Sequence, residues 1–290
     1  MRDIIFFTDM DGTLLDHYTY SYEPVIPTLQ QLRNNGIPVI ANTSKTFLEL
    51  LDIRSHLGNT DPFIFENGAA IALPSCQFSE SDIASNLLPR LPIKNISKES
   101  EYFIVSFVES REHWIHVINS ISTPFVNNFL SFSQISVEKI SELTGLNYDQ
   151  ATLSSQRTFG EPVYWQGDES QYQAFCDAVR KAGATVLKGG RFTHICGEAN
   201  KGQALNWLAQ LYAQKYQKQY LTIGLGDGDN DIAMLESVNF PVIISSPVHN
   251  PPIVGKTQNH LSDVYITKAQ GPEGWAEASA FVLADIEEHF

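Results

Sequence analysis

Cysteine is scarce in this chain. Cys76, Cys176 and Cys196 are the only three among 290 residues, an odd number with no Cys-x-x-Cys pair. That excludes a disulfide framework and a zinc knuckle, and the three thiols read as small buried residues. Long apolar runs are missing too. No stretch reaches the roughly 18 residues that a helix needs to cross a bilayer. Met1-Arg2-Asp3-Ile4 enters a strand at once, with no leader-like apolar region. No membrane partner is expected, and the expected compartment is the cytoplasm. The sequon-like Asn42-Thr43-Ser44 and Asn95-Ile96-Ser97 then carry no glycan. Positive charge is also short: 19 Lys and Arg face 33 Asp and Glu, for a formal net charge of -14. The densest basic stretch, Lys215-Tyr216-Gln217-Lys218, reads as the solvated end of a helix. Nothing offers the basic face that nucleic acid requires, so no nucleic-acid partner is expected. An acidic chain that handles an anionic ligand needs local help, from a metal ion or a few placed cations.

What is present is an α/β pattern. Ile4-Ile5-Phe6-Phe7 is a short continuous apolar run, as in strands buried on both faces of a parallel sheet. A helix follows, with Val25, Leu29 and Leu32 on one stripe and Gly36 at its end. Pro38-Val39-Ile40-Ala41 reads as a second strand, and Phe47, Leu48 and Leu51 mark a second helix. Phe63-Ile64-Phe65 reads as a third strand of the same sheet, turning at Asn67-Gly68 into Ala69–Ala72. Later, Ala204, Leu205, Leu208 and Leu211 stripe a helix, Tyr220–Gly224 and Pro241–Ile244 read as strands, and Trp275–Phe290 closes the chain as a helix. Between these lies a stretch richer in Ser, Asn and aromatics, in which Tyr102–Phe107 alternates like a strand and Ile135–Thr144 and Gln171–Gly183 read as helices. The expected fold is a doubly wound, mostly parallel Rossmann-like sheet, formed by residues 1–80 and 189–290, with an α+β cap domain inserted at 81–188.

Three predicted strands end in polar clusters: Asp9/Asp11, Thr43 and Asp227. Ligands of open α/β sheets bind outside the carboxyl ends of the strands, so these distant groups are expected to meet on one edge. Asp9 and Asp11 are two apart and share a side at an extended strand end. Two carboxylates together call for a cation, and Mg2+ takes oxygen ligands and bridges readily to phosphate. One of the pair can attack as a nucleophile while the other moves a proton. Gly226-Asp227-Gly228-Asp229-Asn230-Asp231 places Asp227 at a strand terminus as a metal ligand, with Asp231 either a ligand or a partner standing behind one. Thr43, between strand and helix, suits a phosphate oxygen or a helix cap. Lys201 neutralises the nucleophile and phosphate if it points inward. No GxxxxGK[ST] loop, dinucleotide loop or HExxH motif occurs, and His113 and His116 read as solvated helix residues.

Asp9-Met10-Asp11-Gly12-Thr13, Thr43, Lys201 and Gly226-Asp227-x-x-Asn230-Asp231 together resemble, in order, the four motifs of the haloacid dehalogenase-like phosphatase superfamily. The insertion between Thr43 and Lys201 is similar to a type C2B cap. The resemblance implies Asp9 as nucleophile, Asp11 as acid and base, Thr43 and Lys201 on the phosphoryl group, and Mg2+ held by Asp9, the Asp11 carbonyl and Asp227. Further marks resemble the mannosyl-3-phosphoglycerate phosphatase family: Thr43-Ser44-Lys45-Thr46, Arg157-Thr158-Phe159-Gly160-Glu161-Pro162, Lys188-Gly189-Gly190-Arg191-Phe192-x-His194 and Gly271-Pro272-x-Gly274-Trp275. Thr158 stands where that family usually has an acid. The implied substrate is a phosphorylated sugar or sugar-glycerate, touched by Ser44, Lys45, Lys188 and Asn230 as well. Arg191, between glycine and an aromatic, is a fork for a carboxylate. Arg157, Glu161 and His194 meet sugar hydroxyls, or else Arg157 and Glu161 pair within the cap and His194 packs in a strand. Other sugar phosphatases, a phosphomutase and a non-catalytic binding protein share these expectations of fold.

Overall fold

The computed structural model describes residues 3–85, 93–189 and 192–289. In chain order the regular elements are β1 (Asp3–Thr8), α1 (Ile26–Asn34), β2 (Val39–Ala41), α2 (Phe47–Leu57), β3 (Phe63–Phe65), β4 (Ala70–Pro74), α3 (Glu80–Ser85), β5 (Asn95–Glu99) and β6 (Tyr102–Ser106). Next come α4 (Arg111–Ile121), β7 (Phe129–Ser131), α5 (Val137–Thr144), α6 (Tyr148–Ser155), β8 (Gly160–Trp165), α7 (Glu169–Lys181), β9 (Thr185–Gly189) and β10 (Phe192–Cys196). The chain closes with α8 (Lys201–Tyr216), β11 (Tyr220–Gly226), α9 (Ile232–Leu235), β12 (Phe240–Ser245), β13 (Tyr265–Gln270) and α10 (Gly271–His289).

The central sheet is parallel throughout, in the order β13-β12-β11-β1-β2. Its inner strands are apolar on both faces because both faces are covered. Ile4 and Phe6 join the core built with α1, α2 and α10, while Ile5 and Phe7 join the one built with α8 and α9. The chain leaves β1 toward β2 on one side and returns to β11 on the other. The strand order therefore reverses beside β1, and reversal leaves a crevice at the carboxyl edge.

β3 forms the hairpin that Asn67-Gly68 announces, but it is not a full strand of the parallel sheet. It pairs antiparallel with β4 and touches the parallel sheet through a single bridge, Asn42 to Ile64. The Asn67-Gly68 turn sends the chain straight back, so β3 finds its main partner in its own hairpin. β5 and β6, read above as part of the insertion, extend that hairpin into the antiparallel sheet β3-β4-β6-β5. A second antiparallel sheet, β7-β8-β10-β9, carries α4 and α7 over the core of Trp114, Ile118, Phe175 and Val179. His113 and His116 are exposed on α4. Among the cysteines, Cys176 is buried but Cys76 is exposed, contrary to the sequence reading, because it sits past the end of β4 in a surface turn. Among the described residues no helix is long and apolar enough to cross a membrane.

Candidate active site at the carboxyl edge of the parallel sheet

β1 and β11 lie side by side, so the residues that follow them, Asp9 and Asp227, arrive at one place. The Asp9 amide donates to Leu225 O at 2.8 Å and ties the two strand ends together. Thr8 Oγ1, behind Asp9, accepts from Trp275 Nε1 at 3.0 Å. Lys201 opens α8, whose N-terminus is capped by the Asn200 side chain. Asn42 Nδ2 holds the Lys201 carbonyl at 3.0 Å. The lysine is 1% exposed and donates to Asp9 Oδ1 at 2.7 Å and to Asp231 Oδ1 at 2.6 Å. Burial alone would discharge it, but Asp231 and Asp9 together push its pKa above the usual lysine value.

The two oxygens of Asp231 are both engaged, Oδ1 by Lys201 and Oδ2 by the amides of Asp227 at 3.0 Å and Gly228 at 3.1 Å. Asp227 accepts from Thr13 Oγ1 at 3.1 Å and lies 3.2 Å from His249 Nε2. Gly12, at φ +75°, brings the backbone so close that a Cβ there would stand 2.6 Å from Asp227 Oδ2. Burial is the main reason that the pKa of Asp9 rises to about 6. Asp231 and Asp11 push it further up, and Lys201 pulls it down. Asp227 also rises to about 6, from burial and from the charge of Asp9. One oxygen from each of Asp9, Asp227 and Asp231 lies within 4.8 Å of the others. Asp231 is matched by a cation and two amides, whereas Asp9 and Asp227 carry negative charge that the protein only partly balances. An oxygen-only set with excess negative charge fits a hard divalent cation.

Asp11 points elsewhere. β1 ends at Thr8 and the chain turns at Gly12, so the strand alternation that would align Asp9 and Asp11 does not continue. The Asp11 carboxylate lies outside the acidic cluster and pairs with Lys45 Nζ at 2.8 Å. Lys45 is buried, 3.9 Å from Glu49 and 5.3 Å from the centre of the Tyr20 ring, and its three neighbours were not all legible: Tyr20 lies in a loop with no motif. Thr43 is fully buried. Its amide donates to Ile64 O and its carbonyl accepts from Asn67. It does not cap α2; Thr46 does, in a capping box with Glu49 that the Thr-x-x-Glu spacing announces.

The candidate residues from the inserted stretch fall into different surroundings. Arg157 Nη2 donates to Ser44 O at 2.8 Å, and its Nε is 3.6 Å from Glu66 Oε2, so it reaches the loop after β2. His194 lies on β10 close enough to Arg157 to feel its charge, and burial, with that charge, pushes its pKa down to about 3. The ring is neutral at ordinary pH. Glu161 takes the second of its two readings, an ion pair, but with Arg111 in place of Arg157. It is fully buried and spent on Arg111 Nε at 2.5 Å, Ser133 N at 2.7 Å and Ser131 Oγ, which leaves no oxygen facing the cleft. Asn230 is exposed. Arg191 lies outside the described residues, as does the Lys188 side chain. Sequence reading missed Thr13, His249, Glu66 and Arg111. Thr13 stood in the quoted motif, whereas the other three carry no spacing signal.

The family described as haloacid dehalogenase-like hydrolase matches residues 6–249. A glucosyl-3-phosphoglycerate/mannosyl-3-phosphoglycerate phosphatase of Persephonella marina is 34% identical over 287 residues, covering 98% of each chain. One of the same description from Methanococcoides burtonii is 33% identical over 280 residues, covering 96% of each. Among solved structures, a phosphatase of the haloalkanoate superfamily from Bacteroides thetaiotaomicron aligns with a TM-score of 0.62 at 15% identity, over 98% of this chain and 94% of that one. A subclass IIB sugar phosphatase aligns with a TM-score of 0.58 at 13% identity, over 97% and 98%. These two speak for the fold alone.

Proposed function

Because this chain belongs to the haloacid dehalogenase-like hydrolases and is a phosphoric monoester hydrolase, we propose that it cleaves the phosphate ester of a glycosyl-3-phosphoglycerate, mannosyl or glucosyl, with Asp9 as nucleophile. The chemistry rests above all on the double contact of buried Lys201 with Asp9 and Asp231. That contact holds Asp9 by one oxygen and leaves the other for attack on phosphorus. Asp9 forms a bond to phosphorus as the bond to the ester oxygen breaks, giving an aspartyl-phosphate. Asp11, once substrate draws it from Lys45 and it has taken up a proton, hands that proton to the departing alkoxide, then takes one from the water that attacks the same phosphorus and releases Asp9 and inorganic phosphate. Lys201 and Thr43 hold phosphoryl oxygens through this sequence. Asp9, Asp227 and the Asp11 carbonyl would hold Mg2+, which supplies charge neutralisation at the phosphoryl group. Asp231, with both oxygens engaged, keeps Lys201 and the Asp227–Gly228 turn in place. We read the sheet β7-β8-β10-β9 with α4–α7 as the cap that selects the substrate, with Arg157 and His194 on its inner side.

The substrate class rests on whole-length similarity to the two curated relatives. Its test is phosphate release from mannosyl- and glucosyl-3-phosphoglycerate beside a panel of hexose phosphates, with Asp9→Asn as the inactive control. The expected kcat/KM favours the glycerate esters by roughly a hundredfold or more, since a site built for a carboxylate rejects analogues that lack it. A preference for any hexose phosphate would sink the substrate assignment while leaving the hydrolase intact.

A further inference from the structure

The seam between the segment 153–159 and the parallel-sheet domain is closed by a few polar contacts. Thr46 Oγ1 donates to Leu153 O at 3.1 Å, and Arg157 Nη2 donates to Ser44 O at 2.8 Å. The remainder converge on Glu66. Its Oε1 accepts the Thr158 amide at 2.7 Å, its Oε2 accepts the Phe159 amide at 3.0 Å, and Arg157 Nε lies 3.6 Å away. The Phe65 and Phe159 rings pack beside these bonds, 5.8 Å apart. Nothing in the chemistry above uses Glu66, yet its side chain is 2% exposed and its backbone stands at φ +49°. A non-glycine residue in the left-handed region, carrying a buried charge, persists only where its surroundings over-determine it.

Those surroundings include both phosphate-side segments. The Glu66 amide donates to Lys45 O at 2.9 Å and the Asn67 amide to Thr43 O at 2.8 Å. Gly68, at the end of the same turn, packs so tightly on the Asn200–Lys201 backbone that a Cβ would sit 2.3 Å from Asn200 O. One three-residue turn thus touches the Thr43–Lys45 loop, the Lys201 segment and the strand entry that carries Arg157. We propose that Glu66 is a positioning residue for substrate selection: it fixes Arg157 and the start of β8 over the Thr43–Lys45 loop, at the separation where a glycosyl-3-phosphoglycerate is gripped from both sides. This rests on the substrate class proposed above and adds the group that sets the geometry of its recognition.

The test compares wild type, Glu66→Ala and Glu66→Gln on a glycosyl-3-phosphoglycerate and on nitrophenyl phosphate, which offers the cap nothing to grip. Glu66→Ala should raise KM for the glycosyl ester by about tenfold or more, the scale of a misplaced binding group. Its kcat/KM on nitrophenyl phosphate should stay within about twofold of wild type. Glu66→Gln keeps the shape and one acceptor oxygen and should recover part of the loss. Amide exchange at Thr158 and Phe159 should quicken in the alanine variant. Equal losses on both substrates would assign Glu66 to the fold or the phosphate site and overturn the proposal, as would unchanged kinetics on both. Should Glu66→Ala fail to fold, the glutamine variant carries the comparison, and an unchanged KM there overturns it. If wild type ignores the glycosyl ester, the substrate reading fails, and the same ratio on its best sugar phosphate still decides the role of Glu66.

Discussion

Lys201 is an ammonium taken out of water and held by two carboxylates, Asp9 and Asp231. Removing it leaves both acids buried without a counter-charge, a change that costs more than the intact cluster contributes. Lys201→Met should therefore lower the free energy of unfolding by about 3–5 kcal/mol as well as abolish turnover. Urea denaturation of the metal-free protein measures the first and phosphate release the second. A variant as stable as wild type would mean that Lys201 bears charge for catalysis alone. At this scale the meeting of Asp9, Asp227 and Lys201 was legible. Asp9, Asp227 and Lys201 sit where strands end or a helix begins, and position in an element determines where a side chain goes. Glu161 was not legible, because its partner Arg111 is 50 residues away and pairs with it only once α4 packs on β8.

Among the elements, the turn from Glu66 to Gly68 is the most constrained, with φ of +49°, +59° and +88° in succession. Gly68→Ala meets two obstacles, an unfavourable φ and a backbone carbonyl 2.3 Å from the new Cβ. The Asn200–Lys201 backbone would have to retreat, and Lys201 with it. The expected loss is at least about 1–3 kcal/mol, with kcat falling as the Lys201 contact to Asp9 lengthens; thermal melting and steady-state kinetics read the two. A silent substitution would remove the turn from any role in holding Lys201. The long apolar elements α8, β1 and β11 were readable because their residues face cores on one or both sides. β5 (Asn-Ile-Ser-Lys-Glu, exposed throughout) and β13, with only Thr267 buried, were not. Edge strands need few apolar residues, so no alternation marks them.

For the whole molecule, the acidic cluster links metal, pH and stability. Asp9 and Asp227 titrate at about 6 in the fold against a reference of 3.8, so the folded state holds the extra protons between those values. Their contribution to stability is complete below about pH 4 and is lost as pH rises through 6. His194, at about 3 against 6.5, works in the opposite sense as pH falls. The readout is therefore a difference: in chelator, the melting temperature of wild type relative to Asp227→Asn should fall from pH 5 to pH 7. Adding Mg2+ at pH 7 should restore it for wild type and not for the variant. Parallel curves with and without metal would dissociate the pair from the cation. The amino-acid order alone determined the parallel α/β sheet and the acids at its strand ends, because burial patterns and chain punctuation are local properties. Only the tertiary structure decided that β3 leaves the parallel sheet for its hairpin partner, that Lys45 holds Asp11, that Arg111 takes Glu161, and that Glu66 ties Arg157 to the loop after β2. Each of those depends on which charged groups are buried together, and a buried charge finds its partner through the packing of distant elements, not through spacing along the chain.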